Sequence, residues 1–313
     1  MRVRALAALL TLAPALLSAQ SAPAPAPATA PSAAPSPAPA PAAPSTDVWI
    51  ADLERSGDAW KLGAPANLTR RAGYDNQPSF LPDGGHLLYT SQRGEQADIF
   101  ELDLATGAER AVTATPESEY SPTLAADGAH VVVVRVEPDS TQRLWSFPLA
   151  GGAPTVIAPE VRGVGYQAWI DATRVAVFVL GEPFTLQVVD TGTGAARRVA
   201  EKIGRSIQRI PGTSSVSFTA PDGEAFAIWA IDGSDPAATR RRLAPAPKSE
   251  EKDYAWTPDG VLVAAVDAKL YRLRPDVDAD WIEFADLTAA GVKGITRLAL
   301  SPDGSKLAFV ASE

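Results

Sequence analysis

From residue 46 onward the apolar positions fall in short runs, some alternating with polar residues and some continuous, and each run ends at a cluster of Pro, Asp, Gly or Thr. Alternation with a period of two puts successive side chains on opposite faces of a strand. In the first such stretch it predicts four strands, at 80–81, 87–90, 98–104 and 109–113, separated by turn residues. The stretch then repeats. Pro78-Ser79-Phe80-Leu81-Pro82-Asp83-Gly84-Gly85-His86-Leu87-Leu88-Tyr89-Thr90 returns as Pro122-Thr123-Leu124-Ala125-Ala126-Asp127-Gly128-Ala129-His130-Val131-Val132-Val133-Val134. Weaker copies are Trp169-Ile170-Asp171-Ala172, Ile210-Pro211-Gly212-Thr213, Thr257-Pro258-Asp259-Gly260 and Ser301-Pro302-Asp303-Gly304, which places six anchors at intervals of 44, 44, 41, 47 and 44 residues.

Pro221-Asp222-Gly223 is a more perfect turn than Ile210-Pro211-Gly212-Thr213, but anchoring the fourth copy there gives intervals of 51 and 37 and leaves 215–219 without a strand. It is therefore read as the next hairpin. Four antiparallel strands in roughly 40 to 45 residues make one blade of a propeller. The ends of the chain complete the count. Residues 295–313 hold only the first two strands of a blade, whereas Asp47-Val48-Trp49-Ile50-Ala51-Asp52-Leu53 matches the third strand and 60–69 the fourth. The pattern predicts an all-β, six-bladed β-propeller over 46–313, its sixth blade closed by strands from both termini so that two sheet edges disappear.

Composition changes before residue 46. Arg2 and Arg4, the apolar run from Ala5 to Leu17 and the small residues at 18–19 read as a secretory leader cleaved after Ala19. The run is too short, and too broken by Pro14, to span a bilayer. Residues 20–45 are almost wholly Pro, Ala, Ser and Thr, an extended tether that could reach ~75 Å at ~3.1 Å per residue. A periplasmic or secreted protein is expected, with no integral membrane segment in the mature chain. The absence of cysteine leaves no thiol for a lipid anchor and no disulfide framework. The formal charge of −9 becomes −11 once Arg2 and Arg4 depart, which argues against nucleic acid or an anionic membrane and favours a basic peptide or a cation.

The candidate chemistry is sparse. The Pro-Asp-Gly turns could suggest calcium, but Pro fixes φ, Asp bonds its own backbone and Gly takes positive φ, so they are read as hairpin turns. They also lack the spacing of a sialidase Asp box. A serine hydrolase is excluded, because the sole histidines, His86 and His130, sit at equivalent strand starts and no Gly-x-Ser-x-Gly elbow occurs. Two histidines without cysteine make zinc improbable, so neither metal nor cofactor is expected. Arg240-Arg241-Arg242 falls on an outer strand, where solvated charge is ordinary.

Aligning the innermost strands gives the sharpest site. One parity carries Tyr166, Ile207, Tyr254, Trp256 and Leu298, read as packing between blades. The other carries Gln77, Ser121, Gly165, Ser206, Asp253 and Arg297, read as facing the channel, with Asp253 and Arg297 near enough to pair. Asp75, Glu119 and Glu251 in the preceding loops predict an acidic channel mouth. Asp75, Asn76, Gln77, Glu119, Tyr120, Glu251, Asp253 and Arg297 are thus the candidate binding residues, and none is assigned a catalytic role.

The 78–91 segment followed by Asp98-Ile99-Phe100-Glu101-Leu102-Asp103, together with Leu300-Ser301-Pro302-Asp303-Gly304-Ser305-Lys306-Leu307-Ala308-Phe309, resembles the WD40-like repeat of the TolB propeller family. TolB proteins are periplasmic, and their propeller binds a peptidoglycan-associated lipoprotein at the channel mouth. No segment between Ser45 and the ring matches the α/β domain that precedes the TolB ring, so a Tol-Pal role is not carried over. The resemblance implies an exported, monomeric, non-enzymatic scaffold whose channel face binds an envelope protein or peptide. The alternative is a propeller enzyme or small-ligand or carbohydrate binder using channel carboxylates, with or without Ca²⁺.

Overall fold

A computed structural model describes residues 45–233, 235 and 240–312. The leader at 1–19 and the tether at 20–44 lie outside the described residues. Blade one comprises Asp75–Phe80, His86–Arg93, Gln96–Asp103 and Glu109–Ala111. Blade two comprises Ser118–Leu124, His130–Val136, Gln142–Pro148 and Thr155–Ile157, and blade three Val164–Trp169, Arg174–Val179, Thr185–Asp190 and Ala196–Glu201. Blade four is built of Ile207–Arg209, Ser215–Asp222, Ala225–Asp232 and Arg241–Pro245, and blade five of Tyr254–Trp256, Leu262–Val266, Lys269–Leu273 and Ile282–Asp286. In all five the four strands pair antiparallel in chain order. The hairpin at Asp222 and Ala225 joins the second and third strands of blade four, as expected once the anchor was placed at Gly212.

The sixth sheet is shared between the termini. Thr296–Leu300 and Lys306–Ser312 supply its inner strands, and Thr46–Ser56 pairs with the latter over seven residues, from Thr46 opposite Ser312 to Asp52 opposite Lys306. The fourth strand differs from the continuous one expected at 60–69. Ala59–Leu62 and Ala66–Asn67 pair separately with Thr46–Ser56. Pro65, which has no N–H to donate, lies in the break, and the Gly63 amide reaches Asp52 instead, at 2.8 Å.

The packing explains why the second strands read as continuous apolar runs. Leu87, Leu88 and Tyr89, Val131 to Val133, Val175 to Val177, and Leu307 to Val310 are all fully buried, because each blade has a neighbour against both of its faces. Six apolar clusters result, one between each pair of adjacent blades. Leu88 and Ile99 meet Val131, Val133 and Phe147 between blades one and two, while Val48 and Ala308 meet Leu87 and Tyr89 across the closed seam. The outermost strand of blade one, Glu109–Ala111, is exposed and charged, which discourages pairing of a further strand.

The Asp-Gly turns act as backbone devices. Asp83 Oδ1 accepts from the amides of Gly85 (2.9 Å) and His86 (3.2 Å), and Asp127 Oδ1 from those of Ala129 (2.8 Å) and His130 (3.2 Å). Gly84 and Gly128 adopt φ of 65° and 68°, which a side chain would resist. The second oxygens bind His86 Nδ1 at 2.6 Å and His130 Nδ1 at 2.7 Å, so the repeated histidine belongs to the repeated turn. Among the described residues no helix is long and apolar enough to cross a membrane.

Candidate functional site

Antiparallel alternation gives the ring two faces. Connections from a fourth strand to the next blade, and the hairpins between second and third strands, lie on one face, and the Asp-Gly turns lie on the other. The channel holds a cavity of about 330 Å³ lined by the innermost strands, which at the connection end include Gln77, Ser121, Tyr166, Arg205, Asp253 and Arg297.

Strict parity fails at this mouth. The ladder shifts register between Asn76 and Ser79, Tyr120 and Thr123, Val164 and Tyr166, and Thr296 and Leu298. Gln77, Ser121 and Arg297 adopt left-handed φ of 58°, 54° and 36° at these bulges, two of which precede a proline that cannot donate to the ladder. In blade three the bulge falls on Gly165, where a Cβ would stand 3.0 Å from the Phe178 ring. Tyr166 packs against the cluster between blades three and four, as expected, and its hydroxyl also reaches the lumen.

That hydroxyl is the centre of the site. Arg297 Nη2 donates to Tyr166 Oη at 2.8 Å, and Arg205 Nη2 donates to the same oxygen at 2.6 Å. Tyr166 belongs to blade three and Arg297 to blade six, which stand opposite each other in a six-membered ring, so the bond spans the channel. Both guanidinium carbons also lie over the Tyr166 ring, at 4.7 Å for Arg297 and 5.5 Å for Arg205. Asp253 pairs with Arg297 at 2.5 Å, as the alignment suggested, and Glu251 pairs with Arg205 at 3.2 Å. Burial pushes the Asp253 carboxyl above its ordinary pKa, and Arg297 opposes that shift. Arg297 stays charged: burial works against its proton, but Asp253 and the phenols of Tyr166 and Tyr74 hold its pKa above the usual value. Tyr74 is pushed up by burial and by Tyr166, and its ring meets Tyr120 edge-on at 6.5 Å.

Arg205 is the residue that sequence reasoning missed. It occupies the same repeat position as Asn76 and Tyr120, so the alignment contained the signal. Its placement depends on Gly204, where a Cβ would fall 2.1 Å from Thr219 Oγ1. Glycine lets the connection press onto blade four and carry Arg205 over the lumen, where it remains 47 % exposed.

Two of the expected mouth carboxylates are elsewhere. Asp75 and Glu119 are completely buried. Arg71 binds Asp75 Oδ1 through Nη2 at 2.8 Å and Nε at 3.2 Å, and Arg135 Nε binds Glu119 Oε1 at 2.9 Å, where Thr115 also donates at 2.5 Å. The acidic rim expected on blades one and two is therefore corrected. Each carboxylate is covered by a connection carrying a cation or by a neighbouring strand, and each neutralises a partner inside the fold. The second oxygens, Asp75 Oδ2 and Glu119 Oε2, have no partner among the described residues. Asn76 is buried and its Oδ1 accepts from the Gln77 amide at 2.8 Å. Gln77 joins blades one and two, its Oε1 accepting from Thr90 Oγ1 and from the Ser121 amide, both at 2.8 Å. Tyr120 packs with the cluster between blades two and three. The charged lining of the channel is consequently three arginines, Arg205, Arg209 and Arg297, against one carboxylate, Asp253.

A shoulder of apolar surface adjoins the mouth. The hairpin between the second and third strands of blade three exposes Leu180 (45 %) and Phe184 (38 %). Ring contacts run from it to the lumen, Phe184 to Phe178 at 4.9 Å and Phe178 to Tyr166 at 5.7 Å. The basic run is ordinary by comparison. Arg242 binds Asp222 at 2.7 Å, Arg241 approaches Asp276 at 3.5 Å, and Arg240 lies over Trp229. No group of three or more His, Cys, Asp or Glu side chains is placed to hold a metal among the described residues.

Comparison with solved structures decides the architecture. A putative TolB from Agrobacterium tumefaciens superimposes with a TM-score of 0.66 at 16 % identity, covering 87 % of this chain and 99 % of that one. The fold is a TolB-like six-bladed propeller. TolB from Acinetobacter baumannii gives a TM-score of 0.55 at 16 % identity, covering 85 % of this chain and 64 % of its own. An oligogalacturonate lyase in complex with manganese gives 0.52 at 18 % identity, with coverages of 84 % and 78 %. At such identities the TolB-like likeness is one of fold. No family model matches the sequence. No curated protein matches it either.

Proposed function

We propose that this TolB-like ring is an exported, non-enzymatic binding module whose channel mouth captures an acidic segment of an envelope protein. The observation that carries the reading is the convergence of Arg205 and Arg297 on the single oxygen of Tyr166. Two guanidinium groups gathered on a single phenol oxygen leave forked N–H donors facing the channel, an arrangement suited to a carboxylate. An Asp or Glu side chain entering there would exchange with the exposed Glu251 for Arg205, while Asp253 stays with Arg297. Leu180 and Phe184 beside the mouth add apolar contact, and tyrosine and arginine are the side chains on which protein interfaces most often depend.

The TolB resemblance implies a protein at this mouth, and the leader at 1–19 is the basis for export. The basic peptide or cation favoured by net charge is replaced, because the overall balance of −9 is carried largely away from the channel lining. The enzyme alternative requires two free carboxylates across the lumen, whereas the lining offers Asp253 alone and in an ion pair. A peptide array matched in length and hydrophobicity, but differing in charge, provides the test. Acidic peptides should be retained and released by salt. Retention of basic peptides in preference to acidic ones would overturn the reading.

A further inference from the structure

The face opposite the mouth carries a second concavity, in the groove between blades two and three. It encloses about 610 Å³ and is lined by Asp127 and His130 from one turn, Ser146 and Thr155 from outer strands, Trp169, and Thr191 to Gly194. Trp169 Nε1 is buried there without a hydrogen-bond partner among the described residues. An indole N–H can only donate, and when buried it normally finds an acceptor. His130 Nδ1 is held by Asp127 Oδ2 at 2.7 Å, which leaves Nε2 available.

The groove between blades one and two shows why this one is open. There Leu81 packs with Leu124 and Trp145, and Glu101 forms an ion pair with Arg110 across the two outer strands. The corresponding positions in blade two are Ala125, Ser146 and Thr155: Ser146 pairs with Thr155 in the register that joins Glu101 to Arg110. A leucine has become alanine and a long ion pair two short hydroxyl residues. Small Ala172, Gly192 and Gly194 complete the opposite wall.

We propose that this groove is a binding site for a neutral saccharide. An indole, two short hydroxyl side chains, an imidazole fixed by a carboxylate and an unpartnered N–H donor suit a hydroxyl-rich ligand with apolar ring faces and no formal charge. The site is independent of the mouth, from which it is separated by the depth of the ring. The test is titration of the ¹⁵N-labelled protein with cellobiose and with N,N′-diacetylchitobiose, following the indole resonance of Trp169 assigned through Trp169→Phe. Saturable movement of that resonance with either sugar is expected. Ala125→Leu, which restores the residue of blade one, should weaken the affinity by at least about tenfold with the remaining spectrum unchanged. Arg205→Glu should leave it intact, so failure at the mouth cannot be mistaken for failure here. No movement with either disaccharide at millimolar concentration, or equal affinity in Ala125→Leu, would overturn the proposal.

Discussion

Glu119 and Glu251 occupy one position of the repeat, eight residues before their anchors in blades two and five, and the fold treats them in opposite ways. Glu119 is sealed beside Arg135, itself 9 % exposed, whereas Glu251 stands 37 % exposed against an Arg205 that is 47 % exposed. The difference arises from what lies on top. In blade two, Thr115 of the connection and Arg135 of the second strand close over the carboxylate. In blade five the cation comes from blade four, and its guanidinium is shared with Tyr166. A repeat fixes where a side chain starts, but exposure is settled by connections that do not repeat.

Substitutions sharpen the contrast. Glu119→Lys should have the largest effect, because it sets two cations together without solvent: breaking a buried pair costs about 3–5 kcal/mol, a fall in melting temperature on the order of 10 °C. Asp75→Asn keeps the shape but removes the charge that faces Arg71, which retains Ser91 and the Gln92 carbonyl, and should cost about 1–3 kcal/mol, measurable by urea denaturation. If either protein melts like the parent, the burial of these acids is wrong. At the exposed member of the pair, Glu251→Lys should change stability by within about 0.5 kcal/mol. It should also tighten the capture of acidic peptides by releasing Arg205.

The smallest effect is one of pH. Asp303 accepts from the hydroxyl of Ser301 and the amide of Ser305, which lowers its carboxyl to about 2. A carboxylate with a depressed pKa stabilises the fold above its unfolded value near 3.8, and that contribution vanishes as pH falls toward 2. Asp303→Asn should therefore flatten the loss of stability between pH 4 and 2 while altering it little below pH 2. An unchanged acid transition would assign the pH dependence to other groups.

The ring was legible because its determinants are local. Asp83, Asp127 and Asp303 make the same turn by accepting from the amide two residues on, and the second strands announce their two buried faces by runs such as Val131 to Val134. The shared sixth blade could be counted from the fragments at each end. The mouth was less legible for two physical reasons. Bulges at Gln77, Ser121, Gly165 and Arg297 break the period on which the parity argument depended, so the reach of the Tyr166 hydroxyl into the channel, beyond the packing of its ring, did not follow from the alternation. Arg205 reaches the lumen only because Gly204 permits close contact with Thr219, a tertiary fact. The pairing of Asp253 with Arg297 survived because both residues share one level of neighbouring blades.

The central claim is that guanidinium groups, not carboxylates, recognise the ligand at the mouth. Its most direct test is the binding of one acidic and one basic peptide, matched in length, to the wild-type protein and to Arg205→Glu at the same ionic strength, with melting temperatures recorded alongside. The wild type should prefer the acidic peptide, and Arg205→Glu should weaken that binding by about tenfold or more and gain affinity for the basic one, while melting within a few degrees of the parent. Unchanged affinity for the acidic peptide in a folded Arg205→Glu protein, or a wild-type preference for the basic peptide, would contradict the account.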